Sequence, residues 1–237
     1  MTEARTVLVT GGNRGIGLAT AQLFADLGHR VAVTARDPKS VDDRIMSVSC
    51  DQTDSDAVDA AFEDIESNLG AVQVLVANAG ITRDQLLLRM SDEEFSAVID
   101  TNLTGSYRMA RRATRAMLRA RWGRLIFVSS VVGLLGSAGQ VNYAASKAGL
   151  VGLARSMARE LGSRNITSNI VSPGPVETEM FASLTDDQQT TIIEQVPLGR
   201  VARPDEIAET IAFLASDSAA YITGAVIPID GGLGMGH

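Results

Sequence analysis

Val7-Leu8-Val9-Thr10 runs straight into Gly11-Gly12-Asn13-Arg14-Gly15-Ile16-Gly17. A short, fully apolar and β-branched run followed by glycines reads as a buried strand that turns sharply into a helix. A turn of this kind lets the backbone approach a pyrophosphate, which then lies at the positive end of the following helix. The spacing from Gly11 to Gly15 to Gly17 departs from the common G-x-G-x-x-G fingerprint, and strand-to-helix turns use glycine for steric reasons as well. Its place directly after the first strand is what gives it weight.

Outward from that turn, short apolar runs alternate with helical periodicity. Strands are expected at Val7–Thr10, Val31–Thr34, Ile45–Ser49, Val74–Ala77, Leu125–Ser129, Thr167–Val171 and Val226–Ile229. Helices are expected at Gly15–Leu27, Asp54–Leu69, Asp92–Arg121, Tyr143–Leu161 and Pro204–Ala215. This alternation predicts an α/β fold, a doubly wound, seven-stranded parallel sheet with helices on both faces. Only a loop or a single helical turn fits between Val31–Thr34 and Ile45–Ser49, where Pro38 falls. The segment 177–197 breaks the alternation with Met180, Phe181 and Leu184, then polar residues, then Ile192 and Ile193. It reads as a lid over a site or as a plain surface hairpin.

The 237 residues, 45% of them hydrophobic, suit one domain spanning 1–237 with no linker or repeat. No leader-like run precedes Val7, and no run is long enough to span a membrane, so the reading is cytoplasmic. A single cysteine, Cys50, excludes an intrachain disulfide framework. His29 and His237 read as solvated surface residues, and no metal site is expected. A net charge of −7 argues against nucleic acid. Yet Thr101 to Arg159 holds no acid, and Arg108, Arg111, Arg112, Arg115 and Arg119 share a helical face opposite Met109, Ala110, Ala113, Met117 and Ala120. That face is a solvated one, a face paired with acids of another subunit, or a dock for an acidic partner.

Two further features carry chemistry. The second strand ends Val33-Thr34-Ala35-Arg36 with no acid at its tip, where an acid would bind a ribose 2′-hydroxyl. Arg36 and Arg14 together suit a 2′-phosphate, which favours NADP; the plain alternative is two solvated loop arginines. Tyr143 and Lys147 stand at i and i+4, on one helix face, with Ser130 upstream. A free phenol has a pKa of about 10, and a fixed cation beside it is expected to lower that value for general acid–base work.

Taken in order, the glycine turn, Cys50-Asp51, Asn78-Ala79-Gly80, Thr101-Asn102-Leu103, Ser130, Tyr143-x-x-x-Lys147 and Pro173-Gly174 resemble the short-chain dehydrogenase/reductase family over essentially the whole chain. Gly80-Ile81-Thr82-Arg83-Asp84, Leu88-Arg89-Met90, Gly139-Gln140-Val141-Asn142, Tyr221-Ile222-Thr223-Gly224 and the ending Gly231–His237 are similar to the 3-oxoacyl-acyl-carrier-protein reductases within it. The resemblance implies a Rossmann fold, NADPH as cofactor, a homotetramer, and an acyl-carrier-protein thioester as substrate. Asn102, Ser130, Tyr143 and Lys147 would be catalytic, with Asn102 bending its helix and holding a relay water. Gly11, Asn13, Arg14, Gly15, Ile16, Gly17, Arg36, Asp51, Asn78, Gly80, Tyr143, Lys147, Pro173, Gly174, Val176 and Thr178 would hold the cofactor. Gln140, Val141 and Pro175 would meet the substrate. Arg121 and Arg164, near the site entrance, would steer the acidic carrier.

This sequence departs from the family at Ala77, where an asparagine is usual, at Val141 for alanine, and at Pro175 for a bulky residue. The last departure stiffens the chain beside the nicotinamide pocket and bears on acyl-chain preference, not on the reaction type. The alternatives are a reductase of acetoacetyl-CoA, a quinone or a small ketone, and a non-catalytic dinucleotide sensor.

Overall fold

A computed structural model describes residues 4–38 and 40–235. His237 and Gly236, part of the C-terminal motif, lie outside them. In chain order the elements are β1 (Thr6–Thr10), α1 (Gly15–Asp26), β2 (Arg30–Ala35), β3 (Ile45–Ser49), α2 (Ser55–Leu69) and β4 (Val74–Ala77). Then come α3 (Asp92–Ile99), a π-helical stretch (Asp100–Gly105), α4 (Ser106–Ala120), β5 (Gly123–Val128), α5 (Val132–Leu135), α6 (Val141–Leu161) and β6 (Ile166–Pro173). The chain closes with α7 (Glu179–Ala182), α8 (Asp186–Gln195), α9 (Pro204–Ala215) and β7 (Val226–Ile229).

The described residues build a seven-stranded sheet in the order β3-β2-β1-β4-β5-β6-β7, every pair parallel. The order reverses between β1 and β4, so the loops leaving their C-terminal ends diverge and open a crevice there. Strand periodicity divides the apolar side chains between two cores. Leu8, Leu75, Leu125 and Phe127 pack with Phe62, Ile65, Met109, Met117 and Leu150 on one face. Val7, Val9, Val76 and Ile126 pack with Phe24, Ile207 and Ile211 on the other.

Helix starts follow local chemistry. Asp54 caps α2 through the N–H groups of Asp56 and Ala57, Ser91 and Glu94 form a reciprocal box at α3, and Pro204 opens α9.

The expected strands and helices are present, with one correction. The periodicity of Asp92–Arg121 predicts one helix, and the chain instead passes through the π-helical stretch Asp100–Gly105. An added residue in one turn shifts the phase of the helix without erasing its apolar pattern. Gly105 is required there, because a Cβ would come within 2.6 Å of the Gln52 side chain. Gln52 crosses from the β3 side to donate to the Thr101 carbonyl at 2.7 Å.

The arginine face of α4 is also corrected. Arg112 pairs with Glu66 at 2.8 Å and Asp59 at 3.1 Å, Arg115 with Asp59 at 3.5 Å, and Arg108 with Asp100 at 2.9 Å. The face therefore joins α4 to acids of the same chain, on α2 and in the π-helical stretch. Arg111 instead lies over the Tyr107 ring.

Arg121 and Arg164 precede β5 and β6, so they lie at the N-terminal edge of the sheet, opposite the crevice. They do not stand near the entrance to this chain's own site. His29 is half-buried at the surface rather than fully solvated: its Nδ1 accepts the Arg5 N–H at 3.0 Å, and its ring meets Phe24 edge-on.

Candidate active site

The glycine turn forms the crevice floor. Gly11 adopts φ +64°, and a Cβ there would come 2.9 Å from Ala79 Cα. A Cβ on Gly17 would meet the Gly11 carbonyl oxygen at 2.4 Å, so only glycine lets α1 begin this close to the turn. The first turn of α1 has no side-chain cap and no acid, leaving its N–H groups directed outward. This cradle fits a dinucleotide pyrophosphate.

The amide nitrogen of Asn78 is engaged within the protein: Nδ2 donates to the carbonyls of Thr10 (2.9 Å) and Gly11 (3.1 Å), clasping the end of β4 to the glycine turn. Thr10 Oγ1 reciprocates by accepting the N–H groups of Asn78 and Ala79. Asp51 Oδ1 accepts from Thr53 N and Oγ1, and these bonds hold its carboxyl below the usual range. Arg36 lies exposed beyond β2, its charge felt at Asp51. The Val176 side chain is buried in the core, so only its backbone faces the crevice region.

Four side chains converge at the C-terminal end of β5. Ser130 follows the strand; its oxygen accepts the Val132 N–H at 3.2 Å, and its hydroxyl lies near enough to the Tyr143 phenol to favour the ionised form. Tyr143 lies in the first turn of α6, and Lys147 is one turn further. The buried Lys147 Nζ donates to the Val128 carbonyl at 2.8 Å and stands 5.6 Å from the Tyr143 ring centroid. Asn102 is fully buried: its Oδ1 accepts the Ile81 N–H at 2.8 Å, and its Nδ2 donates to Ile81 O and Ser146 Oγ, both at 3.0 Å. Gly80 admits both neighbours, since a Cβ would come 3.1 Å from Asn102 Oδ1 and 3.5 Å from Lys147 Nζ. The side chain of Asn102 is thus a clasp between the β4 loop and α6.

The electrostatics correct one expectation. Burial pushes the Tyr143 phenol up to about 12; the nearby Ser130 hydroxyl opposes this, and the charge of Asp84 adds to it. Lys147 does not overcome that burial, because its own charge is desolvated and directed at a carbonyl. Burial pulls the lysine down to about 8. At neutral pH both groups keep their protons: a neutral acid beside a cation with N–H groups to spare.

The segment that carries α7 and α8 begins where Pro173-Gly174 leaves β6. Gly174 donates to Ile229 O at 3.0 Å, and its α-carbon faces Asp230 so closely that a Cβ would lie 2.8 Å away. The Ala202 N–H donates to Pro175 O and the Glu177 N–H to Ala202 O, both at 2.9 Å, stitching the two ends of this segment together. Between them α7 and α8 form a helical pair. A cleft of roughly 800 Å³ runs under it, lined by Leu18, Ala19, Phe181, Ile193, Val201 and Pro204. None of the four converging side chains lines this cleft. Thr178 packs against Gly15, and Arg14 Nη1 meets Glu179 Oε2 at 2.6 Å.

Of the expected substrate residues, Gln140 donates from Nε2 to Asp84 Oδ2 at 2.8 Å. Val141 is 40% exposed at the mouth, and Pro175 forms the lid base.

Sequence reasoning missed the supporting bonds. Ser146 Oγ donates to Tyr143 O at 2.7 Å, Ser129 Oγ to Lys147 O at 2.9 Å, and Asn142 Nδ2 to Arg83 O at 2.9 Å. Serines and an asparagine flanking the Tyr-x-x-x-Lys pair were the available signal.

The chain resembles known proteins along its length. The family model described as enoyl-(acyl carrier protein) reductase matches residues 11–234. The 3-oxoacyl-[acyl-carrier-protein] reductase MabA of Mycobacterium tuberculosis is 53% identical over 237 residues, 99% of this chain and 94% of that protein. The protein of that name from Mycobacterium avium is 51% identical over 234 residues, 99% of this chain and 91% of its own. The 3-oxoacyl-[acyl-carrier-protein] reductase FabG of Escherichia coli is 46% identical over 240 residues, 98% of each chain.

Proposed function

The chain belongs to the short-chain dehydrogenase/reductase family, and on that premise we propose that it is an NADPH-dependent 3-oxoacyl-[acyl-carrier-protein] reductase of fatty-acid synthesis. The observation that carries the reading is the approach of Ser130 to the Tyr143 phenol, with the buried ammonium of Lys147 one helical turn behind it. Two hydroxyls on one side of a crevice suit a carbonyl oxygen that must be held and then protonated.

NADPH, when bound, supplies the hydride. Gly11, Asn13, Gly15, Ile16 and Gly17 cradle its pyrophosphate, and Arg14 and Arg36 take the 2′-phosphate. Asp51 meets the adenine, while Gly80, Pro173, Gly174, Val176 and Thr178 line the nicotinamide half. Asn78 contributes by holding the glycine turn in shape.

Ser130 orients the β-keto oxygen, and Tyr143 gives it a proton as it becomes an alkoxide. A phenol held near 12 is a competent donor to that stronger base and does not lose its proton to neutral water. Lys147 then faces the phenolate left behind and stabilises it through its charge. Water reaching Lys147 from the Asn102 turn restores the proton.

Gln140, Val141 and Pro175 border the substrate. The enzyme is a cytoplasmic homotetramer; among the described residues no helix is long and apolar enough to cross a membrane. Arg121 and Arg164, at the far edge of the sheet, would guide an acidic carrier to the entrance of a neighbouring subunit.

Purified protein tests this directly. NADPH oxidation is measured with 3-oxoacyl thioesters on acyl carrier protein and on CoA, and with the matching trans-2-enoyl thioesters. Turnover of the carrier-bound 3-oxo substrate is expected to lead. Tyr143→Phe is expected to lower it by about 10²–10⁴-fold while NADPH binding stays near wild type. Preference for the enoyl or CoA substrate, or a fully active Phe variant, overturns the assignment.

A further inference from the structure

Arg14 has two claimants. It stands at the N-terminus of α1, where the proposed cofactor brings its phosphates, and its Nη1 is held at 2.6 Å by Glu179, the first residue of α7. The contact is not isolated. Thr178, one residue earlier, packs against Gly15, whose Cβ would come 3.2 Å from Thr178 Cγ2. The N-terminal end of the lid thus rests on the same glycine turn that would receive the pyrophosphate. Its base is pinned by the Val176–Ala202 bridge, so the lid can lift from the glycine turn without unravelling at its root.

We infer that Glu179 is a specificity-determining residue for the cofactor, acting through Arg14 and coupling capture of a 2′-phosphate to release of the lid. The inference rests on the reading of Arg14 as a phosphate ligand. Glu179 engages Arg14 through Nη1 alone and leaves its other N–H groups open, but the carboxylate charge repels a dianionic phosphate at the same guanidinium, so the arginine that favours NADPH holds the phosphate best once Glu179 has moved away. NADH carries no 2′-phosphate and does not draw on that exchange. Glu179 therefore weakens NADPH binding selectively, and in return it ties the lid down until the phosphorylated cofactor arrives. Both partners are solvent-exposed, at 68% and 73%, which keeps the effect small.

Binding titrations of the intact protein with NADPH and with NADH provide the test, alongside amide hydrogen exchange of residues 177–201 without nucleotide. Glu179→Gln is expected to tighten NADPH about two- to fivefold, leave NADH unchanged, and speed exchange in the lid. Arg14→Gln is expected to weaken NADPH and to abolish the effect of Glu179→Gln when the two are combined. If wild-type protein prefers NADPH but Glu179→Gln leaves both the NADPH-to-NADH ratio and lid exchange unchanged, the inference fails on its own. If wild-type protein binds NADH as tightly as NADPH, the cofactor reading fails and the inference falls with it.

Discussion

Strand β5 has a buried cation at each end, and the two live very differently. At its start, Arg124 is fully buried, with Nη1 donating to Gly123 O (2.9 Å) and Asn165 O (3.3 Å). Its guanidinium lies 4.3 Å from the Trp122 ring centroid, and Arg5 approaches the same ring at 4.1 Å. Asp217 stands 3.7 Å from Nη2, while Nε and Nη2 have no hydrogen-bond partner among the described residues. Burial draws the Arg124 pKa below its ordinary value, but a guanidinium stays charged at any pH a protein survives. At the other end Lys147 gives one N–H to Val128 O and keeps the rest for the crevice. Its charge is adjustable, because an ammonium can release a proton where a guanidinium cannot. Burial makes a scaffold cation of one and a working cation of the other; what differs is the group being buried and whether an open crevice adjoins it.

Substitution at each end is the sharpest way to break that contrast. Lys147→Met removes the charge at similar length, and turnover is expected to fall about 10²–10⁴-fold. The melting temperature is expected to change little, because relief of a desolvated charge offsets the lost bond to Val128 O. Arg124→Ala should do the reverse, lowering stability by about 3 kcal/mol through lost packing and the lost hydrogen bonds to Gly123 O and Asn165 O. Its kcat/KM per folded molecule should stay within about twofold of wild type, in line with surface and scaffold changes remote from a site. Parallel steady-state assays and denaturant titrations measure both. A loss of turnover at Arg124 matching that at Lys147 would erase the distinction.

The smallest effect is the most diagnostic. Lys147 has a folded pKa of about 8 against an ordinary 10.5, so between those values the unfolded chain binds more protons. Stability contributed by this residue therefore rises with pH through that window, and the penalty is fully present below about 8. Tyr143, raised to about 12 from 10, acts oppositely above pH 10. Carbonyl reduction, which needs the ammonium, should decline through the same pH 8 region where stability climbs. Lys39 and Lys147 are the chain's only lysines, so lysine-selective ¹⁵N labelling can follow the titration directly. A Lys147 signal that titrates near 10.5 would remove the proposed cause of the decline.

Period and punctuation made the sheet legible: the apolar runs and the glycine turn marked the strands and the crevice, and the Tyr143–Lys147 spacing located the proposed acid. The π-helical stretch was not legible because Asp92–Arg121 keeps an unbroken apolar stripe across the extra residue. The arginine partners were hidden for a related reason. A stripe on α4 reveals which way the charges point, but Asp59 and Glu66 belong to a helix brought alongside only by the fold. The phenol's direction of shift was misread because residue spacing says that Lys147 shares a face with Tyr143. It does not say that Nζ turns to Val128 O, or how deeply the ring is buried. Arg121 and Arg164 were assigned to the entrance from resemblance, and the parallel strands carry them to the opposite edge.

The stitched base of the lid has a consequence for how this scaffold can diversify. Because Pro175, Glu177 and Ala202 meet in paired backbone bonds, the excursion between them begins and ends at one point of the fold. Doubling the length of such an excursion adds only about 0.6 kcal/mol of closure entropy. Val196 packs against Gly231 and the Leu198 N–H donates to Gly231 O, so the stretch 180–195 is the part of this excursion in which length and composition can change while the sheet and the glycine turn remain as they are.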